Sequence, residues 1–189
     1  MEARQRLIDE LRRHALVVGG VVLTSGQVAQ YYVDAKRAIL RPAGFAALAE
    51  LVAARAREWE ATAVGGLTMG ADAPACAALA GGADVKAFFI RKETKQHGLQ
   101  RRIEGPALDP GDRCLIVEDV VTTGGSTLQA IDAVREAGHP IAGVVTVLDR
   151  LAGGAERIRE AAGGAPYEAL ATIDDVYPER PDRAPAPSG

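Results

Sequence analysis

Five short apolar runs limit how this chain can fold: ATAVGG (61–66), DVKAFFIRK (84–92), RCLIVED (113–119), PIAGVVTVLDR (140–150) and YEALATID (167–174). Each carries little polarity on either side of a strand's two-residue alternation. Strands of that kind are covered on both faces, as in parallel sheets. Helical patterns fill the intervals. Pro42 opens one that runs to about Trp59, with proline near the first helical position. DAPACAALA (72–80) follows, with Asp72 as its cap. GSTLQAIDAVREAG (125–138) ends at Gly138, and AERIREAAGG spans 155–164. Strands and helices in alternation predict an α/β fold, a central, mostly parallel sheet flanked by helices. Ligands of such sheets bind beyond the carboxyl ends of the strands. That rule puts 65–71, 91–98, 118–126 and 149–150 on one rim.

Before the sheet, residues 2–14 read as an amphipathic helix with Leu7 and Leu11 on one face. Residues 17–36 read as a hairpin or two short strands. Residues 93–112 have no clean period and read as a long loop, and 175–189 as a Pro-rich, disordered tail. The 189 residues fit one domain, spanning 1–174. With aromatics at 4%, its core must be built from Val, Leu, Ile and Ala. A net charge of −3 speaks against a nucleic-acid partner, which would call for a basic face. Cys76 and Cys114 lie in apolar segments without metal spacing, so buried free thiols of a reduced compartment are expected. The start of the chain lacks a signal-peptide core, and no run is long enough to span a membrane. A cytoplasmic protein is the resulting expectation.

The richest string is CLIVEDVVTTGGST, from Cys114 to Thr127. A buried strand delivers a turn to the rim. Gly124 and Gly125 admit an anion to backbone N–H groups, and Thr122, Thr123, Ser126 and Thr127 add hydroxyls. The helix that starts there adds its positive end. No Gly-Lys-Ser/Thr follows, so this is not a Walker loop. The turn suits one phosphate monoester. Glu118 and Asp119 would repel phosphate, but they suit the 2′- and 3′-hydroxyls of a ribose 5-phosphate. An anionic pair there also favours positive charge developing at the anomeric carbon. An acidic strand end before a capped helix would account for Glu118 and Asp119 alone, but not for the whole string.

This string resembles the phosphoribosyl-pyrophosphate (PRPP) signature of the type I phosphoribosyltransferases. Three further segments resemble the orotate phosphoribosyltransferases within that family: LTSGQVAQYYVD (23–34), RKETKQHGLQRRIEG (91–105) and VLDRLAGGAERI (147–158). The resemblance implies the type I fold with a small N-terminal hood (1–40) and a mobile catalytic loop (91–105). It implies transfer of 5-phosphoribosyl from PRPP to orotate, giving orotidine 5′-phosphate and pyrophosphate in pyrimidine nucleotide synthesis. It assigns PRPP contacts to Arg91, Lys92, Lys95, His97, Glu118, Asp119, Val120, Val121, Thr122, Thr123, Gly124, Gly125 and Ser126. It assigns orotate contacts to Thr122 and Arg150, and it implies a homodimer that shares the loop between subunits.

The segment 91–105 holds five basic residues against two acidic ones, in a chain of net charge −3. Arg101 and Arg102 fit a solvated face equally well. Arg91, Lys92, Lys95 and His97 follow a buried strand onto the rim, where cations stabilise a departing pyrophosphate. Lys95, Asp119 and Glu118 are the catalytic candidates. Tyr31 and Tyr32 fall where the family has aromatics near the base, although core packing of one ring is equally open. Two departures stand out. Thr24 precedes the Ser-Gly pair where many relatives carry lysine, and GGLTMGAD (65–72) has no lysine, so the backbone N–H groups of 68–71 take a larger share. Mg²⁺ is expected as the partner of PRPP, held mainly by PRPP oxygens and water, since no metal-ligating cluster is evident. Other readings on the same fold are a purine phosphoribosyltransferase and a PRPP-binding regulator.

Overall fold

The computed structural model describes residues 2–22, 28–92 and 102–183. The chain opens with α1 (Ala3–His14), which buries Leu7, Ile8 and Leu11. β1 (Leu16–Val22) and β2 (Val28–Val33) pair antiparallel as a separate two-stranded sheet. A short α2 (Lys36–Ile39) leads to α3 (Pro42–Glu58), where Pro42 needs no N–H partner in the first turn. Then come β3 (Ala63–Leu67), α4 (Asp72–Ala80), β4 (Lys86–Ile90), β5 (Ile103–Glu104) and β6 (Cys114–Val121). α5 (Gly125–Glu136), β7 (Ile141–Asp149), α6 (Gly154–Ala162), β8 (Tyr167–Thr172) and α7 (Ile173–Val176) complete the described chain.

The main sheet has the order β5-β4-β3-β6-β7-β8, parallel except at the β5 edge. Alternation along the strands feeds two cores. Leu115, Val117, Val145 and Val147 join Leu48 and Val52 of α3 and the alanines of α4 on one face. Cys114, Ile116 and Val144 join Ile131 and Val134 of α5 and Ile158 of α6 on the other. From β3 the chain steps outward to β4, whereas from β6 it steps the opposite way to β7 and β8. The reversal opens a crevice between the carboxyl ends of β3 and β6, where ligands of such sheets bind.

Several expectations need correction. Gly65 and Gly66 lie inside β3 instead of ending it. A Cβ at Gly65 would meet the Phe88 ring at 2.5 Å, and one at Gly66 would meet the Val117 carbonyl at 2.3 Å. Asp72 is the first residue of α4 and caps no N–H; Ala71 holds the cap position. Residues 103–104 pair with β4, so part of the expected loop is an antiparallel edge. β6 runs on to Val121, which places both acids within the strand. The chain from 175 on is ordered as far as described: Thr172 and Asp175 form a capping box, and Arg180 bonds Asp174. Of the cysteines, Cys114 is buried but Cys76 is exposed on α4. Burial pushes the Cys114 thiol up to about 12.

Candidate active site

β6 carries its two acids to the crevice by ordinary strand geometry. Both are nearly inaccessible, with Glu118 4% and Asp119 7% exposed. Glu118 Oε1 accepts the Asp119 N–H at 3.2 Å, while its Oε2 is buried without a partner among the described residues. Burial, and then the charge of Asp119, push the Glu118 carboxyl up to about 8. Asp119 Oδ1 accepts the Val120 N–H at 2.8 Å, and Oδ2 accepts the Lys36 ammonium at 2.9 Å. Gly70, after β3, closes against the pair: a Cβ there would lie 2.3 Å from Glu118 Oε1 and 2.5 Å from Asp119 Oδ1. The turn before α4 therefore reaches the acids only because residue 70 has no side chain.

The glycine-rich turn follows at once. Gly124 caps α5 with φ +79, a left-handed conformation that glycine adopts without strain. The first N–H groups of α5 are free of helical partners and face the same opening. A cavity of about 330 Å³ is lined by Glu118, Thr122, Thr123, Gly125, Ser126 and Thr127, among others. Thr123 and Ser126 are exposed to it, and Thr127 Oγ1 is buried with no partner among the described residues. A hydrogen-bonding anion in this cradle would satisfy that hydroxyl.

β7 delivers Arg150 beside the turn, and the Arg150 N–H donates to the Val121 carbonyl at 2.9 Å. Asp149, 2% exposed, shapes the bend by accepting the Leu151 N–H and the Tyr167 hydroxyl, both at 2.8 Å. Burial and this acceptor hold the Tyr167 phenol above its ordinary pKa. The Arg150 guanidinium lies over the Tyr31 ring, 5.1 Å from its centroid.

A phosphate cradle, a buried acid pair and a guanidinium thus share one rim, and comparison with known proteins gives the constellation a lineage. The Phosphoribosyl transferase domain family matches residues 37–163. An orotate phosphoribosyltransferase of Corynebacterium glutamicum is 46% identical over 177 residues, 93% of this chain and 95% of that protein. The chain belongs to the orotate phosphoribosyltransferase family. A crystal structure of the Mycobacterium tuberculosis enzyme in complex with Fe(III) dicitrate superposes with a TM-score of 0.82 at 41% identity, covering 93% of this chain and 99% of that one. The same enzyme in complex with PRPP gives a TM-score of 0.77 at 37% identity, covering 92% and 98%.

The orotate phosphoribosyltransferase signature can now be followed residue by residue. Glu118, Val120, Thr122, Thr123, Gly124, Gly125 and Ser126 line one cavity. Asp119 and Val121 do not: Asp119 is bonded to Lys36, and the Val121 side chain is 1% exposed in the core with its carbonyl taken by Arg150. Arg91 and Lys92 share a second cleft of about 530 Å³ with Thr68 and Met69, and Arg91 lies 3.4 Å from Glu104. Lys95, His97 and Thr24 lie outside the described residues. Of the four N–H groups in 68–71, those of Thr68 and Ala71 donate to Ile90 and Leu67, which leaves those of Met69 and Gly70 for a ligand. Tyr31 is the packed ring, 4% exposed, whereas Tyr32 is 40% exposed.

Two site residues escaped the sequence reading. Lys36 sits 2.9 Å from both Asp34 and Asp119. Burial works against its charge, but the hydrogen bonds to the two acids outweigh it and raise the ammonium's pKa. Nothing in the local pattern around Lys36 announces a partner 83 residues away. Gly154 is the other: a Cβ there would lie 2.6 Å from the Thr122 carbonyl and 2.9 Å from the Gly124 nitrogen. The Gly-Gly pair before α6 was a visible signal, but which turn it packed against was not.

Proposed function

We infer that this protein is a pentosyltransferase that moves 5-phosphoribosyl from PRPP to a ring nitrogen of orotate, releasing pyrophosphate. The observation that carries this reading is the phosphate cradle at 124–127 set directly after a buried acid pair, in a chain 46% identical to an orotate phosphoribosyltransferase.

The division of labour follows from the chemistry of each group. Backbone N–H groups of 125–127 and the hydroxyls of Thr123, Ser126 and Thr127 hold the 5′-phosphate. Asp119 and Glu118 accept the ribose hydroxyls, and the Asp119 carboxylate stabilises the positive charge that builds at the anomeric carbon. Pyrophosphate leaves toward Arg91, Lys92, Lys95 and His97, with the Met69 and Gly70 N–H groups assisting. Arg150 and Thr122 hold orotate, whose carboxylate and ring carbonyls match a guanidinium fork. Because orotate's nitrogen is already nucleophilic once deprotonated, positioning supplies much of the rate.

Mg²⁺ fits this site as part of the PRPP complex. The described residues contain no group of three or more His, Cys, Asp or Glu that could hold a metal ion. The carboxylate pair, with Glu118 Oε2 unpartnered, offers oxygen donors at its edge. Bound there, the ion would neutralise the charge of the leaving group. We further propose a single phosphoribosyltransferase domain over 1–174, with residues 1–40 as its hood, in a cytoplasmic homodimer that shares segment 91–105. No helix among the described residues is long and apolar enough to cross a membrane.

The test is loss of orotate absorbance in the presence of PRPP and Mg²⁺, with adenine, hypoxanthine and uracil in parallel. Turnover with orotate alone is expected. Turnover with a purine, or tight PRPP binding without turnover, would overturn the assignment.

A further inference from the structure

The segment Tyr177–Arg183 follows the last helix and returns to the hood. Its position is defined by specific bonds. Arg180, with a side chain only 9% exposed, pairs with Asp174 and lies 3.2 Å from Asp182 Oδ1. Arg183 donates to the Pro178 carbonyl at 2.8 Å. Asp182 then receives the Tyr31 hydroxyl, at 2.9 Å to Oδ2 and 3.2 Å to Oδ1. Tyr177 meets the same ring edge-on, with centroids 5.4 Å apart. So the phenol of Tyr31 is held at its tip by Asp182 and at its side by Tyr177.

The face of that ring carries Arg150, 5.1 Å away. Arg150 Nε is buried and has no hydrogen-bond partner, so among the described residues no acid holds it to fix the plane of the guanidinium. Its orientation is set by the ring beneath it. A carboxylate accepting the phenol proton also pushes electron density into the ring, which strengthens its attraction for a cation. A cavity of about 260 Å³ opens between Gln30, Tyr31, Arg150, Pro181 and Asp182. Asp182 cannot bind an anionic base itself, since like charges repel. Any favourable effect of Asp182 on the base must therefore run through Tyr31.

We propose that Asp182 is a positioning residue for base binding: it fixes Tyr31, and Tyr31 fixes the guanidinium plane of Arg150 toward the orotate carboxylate. The proposal rests on the assignment of Arg150 to the base. It makes the C-terminal segment a determinant of base affinity, separate from the PRPP machinery on β6.

Steady-state kinetics of the full-length protein test it, using Asp182→Asn, Tyr31→Phe and the double variant. Each single change removes the bond between the Tyr31 hydroxyl and Asp182 but keeps the ring, and should raise KM for orotate roughly two- to fivefold, the size of one modest hydrogen bond. KM for PRPP and kcat should stay within about twofold. The double variant should be no worse than either single one, and Asp182→Glu should restore KM in part. An unchanged orotate KM would overturn the proposal. So would additive effects, or KM for both substrates rising together with a lowered melting temperature, which would mark the segment as merely structural. Wild-type protein that turns over no orotate would remove the base assignment and this proposal together. An active wild type with insensitive variants would remove the proposal alone.

Discussion

The Lys36 ammonium contacts Asp34 and Asp119 at 2.9 Å each and neutralises one of the two buried acids at the crevice. Lys36→Met would leave the Asp119 carboxylate buried without its cation. We expect a loss of about 1 kcal/mol of stability, a modest figure because the lysine side chain is 34% exposed, and a fall of roughly tenfold in kcat/KM for PRPP. Urea unfolding and initial rates check the two effects. Glu118 makes the opposite case. Its carboxyl is raised from 4.5 to about 8. Between those values the unfolded chain has lost a proton that the folded chain keeps. Stability from this group therefore falls as pH rises through that window and levels off above it. Glu118→Gln should remove this slope and stabilise the ligand-free protein by about 1–2 kcal/mol at pH 8, with little change near pH 4.5. Denaturant midpoints across that range measure it, and turnover should drop in the same variant because an acceptor for the ribose is gone.

The phosphate turn is braced from outside its own element. The start of α6 packs on it through Gly154, and Arg157 donates to the Thr123 carbonyl at 2.7 Å. The closest contacts of a Cβ at 154 would be backbone atoms of residues 122 and 124 and the Val121 side chain. Gly154→Ala must therefore push the cradle out of place. We expect KM for PRPP to rise roughly tenfold while KM for orotate changes less, as separate titrations of the two substrates would show. Segment 147–158 thus serves the turn at 114–127 from two sides: β7 ends beside it at Arg150, and the start of α6 supports it.

At the scale of the molecule, one sheet with a reversal between β3 and β6 gathers residues from 70, 91, 118–127 and 150. The hood adds Lys36 and Tyr31, and the C-terminal segment adds Asp182 behind Tyr31. If the protein forms a homodimer that shares segment 91–105, a Lys95→Ala chain and an Asp119→Asn chain have complementary defects. Mixed and refolded together, they should recover up to about one quarter of wild-type activity, since half of the dimers are mixed and each holds one intact site. Activity that stays at the level of the separate variants would show that each site uses its own loop.

The central sheet and the position of its rim were legible along the chain, and so was the family signature at 114–127. Apolar runs and turn glycines are local patterns, and local physics makes them strands and tight turns. The sequence also marked Glu118, Asp119, Thr122 and Arg150, because the short string or resemblance around each carries its meaning. Tertiary structure alone decided what lies across from them. Lys36 beside Asp119, Gly70 against both acids, Gly154 beneath the cradle and Asp182 on Tyr31 each join residues far apart in the chain. Their pairing is set by how elements pack, and no periodicity along the chain encodes it. The same holds for the Val121 side chain, which packing turns into the core. A strand's alternation fixes which neighbours face opposite ways, but only the layers above and below decide which face meets the ligand.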